Sequence, residues 1–352
     1  MATAFARLRV ADVDRLCDDA VAVTFDVPPE LSEQFEFRPG QSLTVRRTVD
    51  GRDERRSYSI CAPAGASPRI GVREVAGGQV SEWLVRHVRR GDTIEVLPPT
   101  GTFTPALGAA ARHVLIAAGS GITPLLSIAA SVLAEPGSTV TLIYGNRRSD
   151  TVMFADELAD LKDRYPVRFE LVHVLSREPR ESDVLSGRLD QTRLAALVDA
   201  LIPVDAIDHW WLCGPFDMVE SARAVLLERG VAPAQVHREL FYVEDIAPPL
   251  AVHTDAAPTG PTSQVTVVMD GRATPLTLPR DTPILDAAQH VRTDLPFACK
   301  GGVCGTCRAK VTHGEVHMRR NFALEDDELE DGFVLTCQSL PVTDDVTVDY
   351  DA

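Results

Sequence analysis

The chain has 352 residues, 45% hydrophobic and 24% charged, with a formal charge of −16. That length asks for two or three domains with separate cores. The charge argues against a nucleic-acid partner, which wants clustered Lys and Arg, and seven cysteines without a secretory leader argue against a disulfide framework.

The first residues, MATAFARLRV, place Arg7 and Arg9 where a signal peptide needs an apolar core, so a cytoplasmic location is expected. Residues 1 to about 108 hold short β-branched runs (AVAVTFDV, QSLTVRRTV, RRSYSI, RIGVREV, TIEVLPP) separated by Pro, Gly and Asp. That spacing predicts an antiparallel β-barrel of about six strands. The long uncharged run Val114–Ala134 is interrupted by Gly119, Ser120, Gly121, Thr123 and Pro124, so it parses as strand, loop and helix instead of a membrane span.

From 109 to 242 the pattern changes to continuous apolar runs, HVLIAAG, VTLIYG, RFELVHV and HWWLCG, as in strands buried on both faces of a parallel sheet. Helices are predicted between them at Pro124–Ala134, Phe154–Arg164, Leu189–Leu201 and Asp217–Arg229. Thr123 is the expected cap of the first, and an Asp217/Glu220 capping box opens the last, which ends at Gly230. This is an α/β nucleotide-binding layout. Residues 243–262, rich in Pro, Ala, Thr and Asp, read as a linker. A third domain spans 263–352, with an Asp270-Gly271 hairpin turn and 15 acidic against 8 basic residues.

The cysteines of that domain fall as Cys299-x4-Cys304-x2-Cys307, with Cys337 thirty residues on. This is the plant-type 2Fe–2S spacing. A zinc site would pair two CxxC or Cys/His knuckles, and a thioredoxin-like CxxC would leave Cys299 and Cys337 idle. Gly301, Gly302 and Gly305 permit the tight wrap that four thiolates around a compact cluster require. The domain resembles plant-type ferredoxins with a β-grasp, α+β fold.

Upstream, RSYS (Arg56–Ser59), RPGQ (38 to 41) and VREVAGGQVSEWL (72 to 84) occur together, and GSGITP (119 to 124) and CGPFDM (213 to 218) follow buried strands. Together they resemble the ferredoxin–NADP reductase superfamily. The resemblance implies that Arg56 neutralises an FAD diphosphate, that Tyr58 stacks on the flavin, and that Ser57 and Ser59 line it, Ser59 near N5. It also implies FAD contacts from Val72 and Arg73, and a diphosphate cap from Gly78, Gln79, Val80 and Ser81. Gly119, Ser120, Gly121, Ile122, Thr123 and Pro124 form the nicotinamide-dinucleotide loop, with Pro124 at the third glycine position of GxGxxG. Cys213, Gly214 and Pro215 lie by the nicotinamide, and Ser59, Cys213 and Glu239 are the expected catalytic set. Cys17 and Cys61 are read as structural. After VTLIYG, Asn146, Arg147 and Arg148 provide no carboxylate for a ribose diol and two guanidinium groups for a 2′-phosphate, so NADPH is favoured with NADH as the alternative.

FAD carries zero, one or two electrons and a 2Fe–2S cluster one, so NAD(P)H, FAD and cluster form a chain that splits a hydride into single electrons. No oxygenase motif is present, so the acceptor is expected to be the oxygenase component of a multicomponent monooxygenase. With the ferredoxin last, the full-length pattern, including LEDDELEDGFVLTCQSLP, is similar to reductase components of di-iron monooxygenases of the phenylacetyl-CoA epoxidase kind. Reductases of Rieske oxygenases such as ketosteroid 9α-hydroxylase share the order. A diaphorase reducing small acceptors directly is the reading from another class.

Overall fold

The protein is represented by a computed structural model that describes residues 5–49, 51–180, 182–242, 260–292, 295–324 and 326–352. Two compact units emerge, one within Phe5–Glu244 and one within Asp245–Ala352. The expected linker falls almost wholly on 243–259, outside the described residues.

The first unit opens with β1 (Ala6–Cys17), β2 (Ala20–Asp26), β3 (Ser42–Val49), β4 (Arg52–Ser59), β5 (Arg69–Arg73), α1 (Ser81–Arg86) and β6 (Thr93–Val96). The strands pair antiparallel in the order β4-β3-β6-β1-β2-β5, and an Ile60–Ile70 bridge brings the two edges together as a barrel. Alternation decides which core each side chain enters. On β2, Val21, Val23 and Phe25 fill the barrel, whereas Ala20 and Ala22 on the other face join the core of the following α/β layer. On β5, Ile70 and Val72 point into the barrel; a Cβ on Gly71 between them would lie 2.4 Å from Thr123 Cγ2 and 2.8 Å from Phe154 Cζ. A side chain at 71 would push the α/β layer away.

That layer comprises β7 (Arg112–Ala118), α2 (Ile122–Ala134), β8 (Thr139–Asn146), α3 (Ala155–Arg164), β9 (Phe169–Leu175), α4 (Gln191–Leu201), β10 (His209–Pro215), α5 (Phe216–Glu228) and β11 (Val236–Tyr242). The sheet is parallel, ordered β11-β10-β7-β8-β9. Strand order reverses between β7 and β10, and doubly wound sheets bind ligands at the carboxyl ends of that pair.

Two predicted caps are replaced by other contacts. Helix α2 begins at Ile122 out of a 3₁₀ turn, and the Thr123 hydroxyl donates to the Ser120 carbonyl instead of capping. At α5, Pro215 is the N-cap with no side-chain bond, and Glu220 pairs with Arg238 at 2.9 Å, so the Asp217/Glu220 box does not form. Glu220 is taken up by a cross-element ion pair in place of a local capping hydrogen bond. Asp190, unremarked in the sequence, caps α4 by accepting the Arg193 N–H.

The second unit holds β12 (Thr262–Met269), β13 (Arg272–Pro279), α6 (Ile284–Ala288), β14 (Arg308–His313), β15 (Val316–Met318), α7 (Asp326–Glu330), β16 (Phe333–Leu335), β17 (Ser339–Pro341) and β18 (Asp345–Asp349). Its mixed sheet runs β13-β12-β18-β14-β16, with β15 and β17 as a separate pair. The Asp270-Gly271 turn has φ of 55° and 68°, and the Asp351 carboxylate accepts both of its backbone N–H groups at 2.7 and 2.8 Å. Among the described residues no helix is long and apolar enough to cross a membrane.

At the amino ends of β7, β10 and β11, opposite the ligand end of the sheet, His113, His209 and His237 surround Trp211. Trp211 Nε1–H donates to His113 Nδ1 at 3.2 Å, which requires that nitrogen bare. Burial first, then the neighbouring His209, pushes His113 down to about 4. A histidine held neutral by the fold contributes stability above its unfolded pKa, near 6.5, and loses it as pH falls toward the folded value. At pH 5 the loss is about 2 kcal/mol. Thermal melts should therefore drop in Tm between pH 7 and 5, and His113→Gln should flatten the slope; an unchanged slope would show that His113 does not carry it.

Candidate functional site

The turn after β7 is built by close backbone approach. A Cβ on Gly121 would lie 2.1 Å from the Cys213 carbonyl oxygen, so only glycine lets the loop pass the end of β10. Tyr144 on β8 steadies the turn, its hydroxyl donating to the Gly119 carbonyl at 2.9 Å. Ile122, Thr123 and Pro124 are buried in the first turn of α2, while Gly119 and Ser120 stay half-buried at the mouth. Gly214 is buried and Pro215 exposed at the end of β10. Backbone N–H groups at a helix start, next to a switch point, suit a dinucleotide diphosphate.

Three expected catalytic residues come together from different strands. Cys213 and Glu239 are partners in the β10–β11 register, and Ser59, at the end of β4, donates from Oγ to Glu239 Oε2 at 3.2 Å. Burial raises Glu239 to about 8, against the opposing Ser59 hydrogen bond. At pH 7 burial therefore favours its neutral form. Burial, then the Glu239 charge, raises the Cys213 thiol well above its ordinary value, which keeps it an uncharged wall.

The barrel residues are disposed more variously. Tyr58 is half-buried against the barrel core, and Ser57 Oγ lies 3.2 Å from Thr44 Oγ1. The Arg56 guanidinium is exposed, 3.3 Å from Glu54. Val72 is wholly buried in the barrel, which leaves only its backbone for a ligand. In the loop before α1, Ser81 Oγ accepts from the Val75 N–H at 3.1 Å and the Gly77 N–H goes to Glu82 Oε1 at 2.6 Å, so these groups shape the loop. Gly78 and Gln79 lie there partly open, Gln79 giving its carbonyl to Arg47, and Val80 is buried. Arg73 points to the α/β layer: Nη2 donates to the Thr151 carbonyl at 2.5 Å, Nε sits 3.4 Å from Asp19, and Nη1 is 3.5 Å from a Cβ on Gly119. Asp19 was not singled out by any motif; a lone acid in a strand turn carries no signal.

At the end of β8, Asn146 is 7% exposed, and among the described residues neither polar atom of its side chain has a hydrogen-bond partner of normal geometry. Arg148 is paired with Asp150, whereas the half-exposed Arg147 guanidinium lies 3.6 Å from Asp19.

In the second unit the four cysteines are free, Cys307 and Cys337 buried and Cys299 and Cys304 half-buried. The sulfurs associate two by two, Cys299 with Cys304 and Cys307 with Cys337. In each pair the shared hydrogen bond lowers one thiol, Cys299 or Cys337, and raises its mate. Among the described residues no three His, Cys, Asp or Glu side chains converge on a single ion point. Two sulfurs for each of two irons is the donor set of a 2Fe–2S cluster. Gly301 and Val303 direct backbone N–H groups at Cys299 Sγ, at 3.3 and 3.4 Å. Of the three glycines expected to make the wrap, Gly302 and Gly305 take positive φ; Gly301 does not, and Lys300 does, at 51°. Val303–Thr306 are half-exposed, with Arg319 and Arg320 exposed nearby, the Phe322 N–H bonding the Gly302 carbonyl at 3.0 Å.

A flavin barrel, a nicotinamide sheet and a cluster loop in one chain define an NAD(P)H-dependent flavin and iron–sulfur oxidoreductase. Family models agree in that order: an oxidoreductase FAD-binding domain over residues 7–104, an oxidoreductase NAD-binding domain over 115–224 and a 2Fe-2S iron-sulfur cluster binding domain over 267–342. The E component of 1,2-phenylacetyl-CoA epoxidase from Escherichia coli (strain K12) is 44% identical over 99% of this chain and 99% of its own. The ferredoxin reductase component of 3-ketosteroid-9-alpha-monooxygenase from Rhodococcus rhodochrous is 34% identical over 97% and 96%. Among solved structures, phthalate dioxygenase reductase, described as a modular structure for electron transfer from pyridine nucleotides to a 2Fe-2S centre, matches with a TM-score of 0.60, 25% identity and 98% coverage of both chains. The chain belongs to the family of oxygenase reductase components that includes this component of phenylacetyl-CoA epoxidase.

Proposed function

We propose that this chain delivers electrons from NADPH to the di-iron oxygenase component of a phenylacetyl-CoA epoxidase. What carries the reading is the 44% identity across 99% of both chains, ferredoxin-last order included. When bound, FAD accepts a hydride's electron pair and the cluster passes electrons on singly.

The chain's own residues divide the work. Gly119–Pro124 seat the coenzyme diphosphate, with Arg73 beside them as its counter-charge, a role on the coenzyme side of the flavin. Arg147, loosely paired, offers its guanidinium to a 2′-phosphate, which favours NADPH. Arg56 counters the FAD diphosphate, Tyr58 stacks against the flavin, and Ser59 lies along its reactive edge. Ser59 and Glu239 hold a proton where the coenzyme and flavin meet, and Cys213, uncharged, packs beside the nicotinamide. Cys299, Cys304, Cys307 and Cys337 ligate the cluster, and half-exposed Val303–Thr306 provide the face an acceptor approaches. A reducing cytoplasm suits a chain whose cysteines outside the cluster set, Cys17, Cys61 and Cys213, are free.

Purified protein mixed with phenylacetyl-CoA oxygenase should support NADPH-dependent epoxidation, while a ketosteroid oxygenase should receive electrons at least tenfold more slowly; the reverse order would reassign the partner. Because Glu239 loses its proton near pH 8, flavin reduction should fall as pH rises through that value, by about tenfold per unit once ionised. Stopped-flow absorbance would measure it, and Glu239→Gln should remove the fall; an identical profile in the variant would exclude Glu239 as the proton holder.

A further inference from the structure

Gln338 follows the last cysteine of the set and is 5% exposed, a depth at which an amide needs partners. Its Nε2 lies 2.8 Å from the Lys300 carbonyl oxygen and 3.7 Å from Cys337 Sγ. The carbonyl can only accept, and a cluster-bound sulfur carries no proton. The amide therefore turns its NH2 to both, one proton to each, and chemistry alone fixes the orientation. The Lys300 carbonyl is available because that residue is held left-handed, at φ 51°. Its ammonium is tied to Asp286 Oδ1 and Gln289 Oε1, both at 2.8 Å, on and just beyond α6. Gln338 Cγ also sits 3.1 Å from where a Cβ on Gly302 would be. One side chain thus touches the first and last segments of the cysteine set, 38 positions apart.

The N–H groups reaching Cys299 come from the backbone, which any sequence in that conformation supplies. Cys337 is reached by a backbone N–H of Gly302 and, in addition, by the Gln338 amide, and only this second donor depends on residue identity. We propose that Gln338 is a tuning residue for the cluster: its amide N–H stabilises the negative charge that Cys337 sulfur gains on reduction, and so raises the potential at which the cluster takes an electron. Hydrogen bonds to ligating sulfur are among the levers that set iron–sulfur potentials, and bonds to charged acceptors are the stronger kind. The proposal rests on Cys337 as a ligand, and not on which oxygenase follows.

The test is an anaerobic redox titration of the full-length protein, read by electron paramagnetic resonance of the reduced cluster. Gln338→Met keeps the length and removes both donors; the one-electron reduction constant should fall about tenfold, which is about 59 mV. Gln338→Glu keeps the shape and replaces donors by acceptors, and should fall further. Ferricyanide reduction at the flavin should stay unchanged in both. An intact cluster with unshifted potential in either variant overturns the proposal, and loss of the cluster from both overturns it in favour of a purely structural role. Cys337→Ser separates the underlying assignment: a cluster spectrum unaltered by that change would remove Cys337 as a ligand, whatever Gln338 does.

Discussion

The hydrogen bond from Ser59 to Glu239, spanning 180 positions of sequence, joins the last residue of a barrel strand to the edge strand of the parallel sheet. Hydride transfer needs donor and acceptor in van der Waals contact, and a misplacement of an ångström can cost orders of magnitude in rate. The barrel and the sheet must therefore meet in one fixed relation. The rest of the first unit serves that requirement. Ala20 and Ala22 turn one face of β2 into sheet core, and Gly71 lets Thr123 and Phe154 close on β5. Arg69 links Asp14 of the barrel to Glu157 of α3 at 2.9 and 3.0 Å. Ser127 of α2 donates to the Ala62 carbonyl at 2.6 Å. Small residues and short polar bonds dominate this seam, and an interface of that kind has little freedom to slide.

Burial at the same seam sets the protonation of the site, against the Ser59 hydrogen bond. Burying Glu239 between two strands holds it neutral through pH 7, and burial likewise keeps the Cys213 thiol un-ionised. Packing and proton inventory are thus one feature. The second unit solves a different problem, presenting four sulfurs in two pairs at the edge of a small sheet. Its loop carries backbone strain at Lys300, and side-chain contacts from Asp286, Gln289 and Gln338 hold that strain in place.

Much of this was legible in the residues. Unbroken apolar runs marked β7, β8, β9 and β10 because both faces of a parallel strand are covered, and Asp-Gly marked the β12–β13 turn because both positions require positive φ. The cysteine spacing specified the cluster, since four thiolates in that pattern suit few other purposes. Helix ends were less legible. Thr123 and the Asp217/Glu220 pair have the right types for caps, yet a 3₁₀ turn and the Arg238 ion pair used those groups otherwise. Local motifs cannot anticipate a partner arriving from another strand. Asp19 was opaque for the same reason, as its contacts with Arg73 and Arg147 depend on the α/β layer packing against the barrel. Lys300 in a left-handed conformation was hidden by the three glycines around it, residues whose own freedom already accounted for a tight wrap.

The central claim is that a hydride entering at Gly119–Pro124 leaves as single electrons through the cluster loop. An anaerobic titration of the purified protein with NADPH, followed through the visible spectrum, tests it most directly. The account predicts that flavin and iron–sulfur bands both bleach, with three electrons taken up per chain, one more than a flavin alone can hold. Bleaching of the flavin with an iron–sulfur signal that stays oxidised, or a protein that binds no flavin, would contradict it.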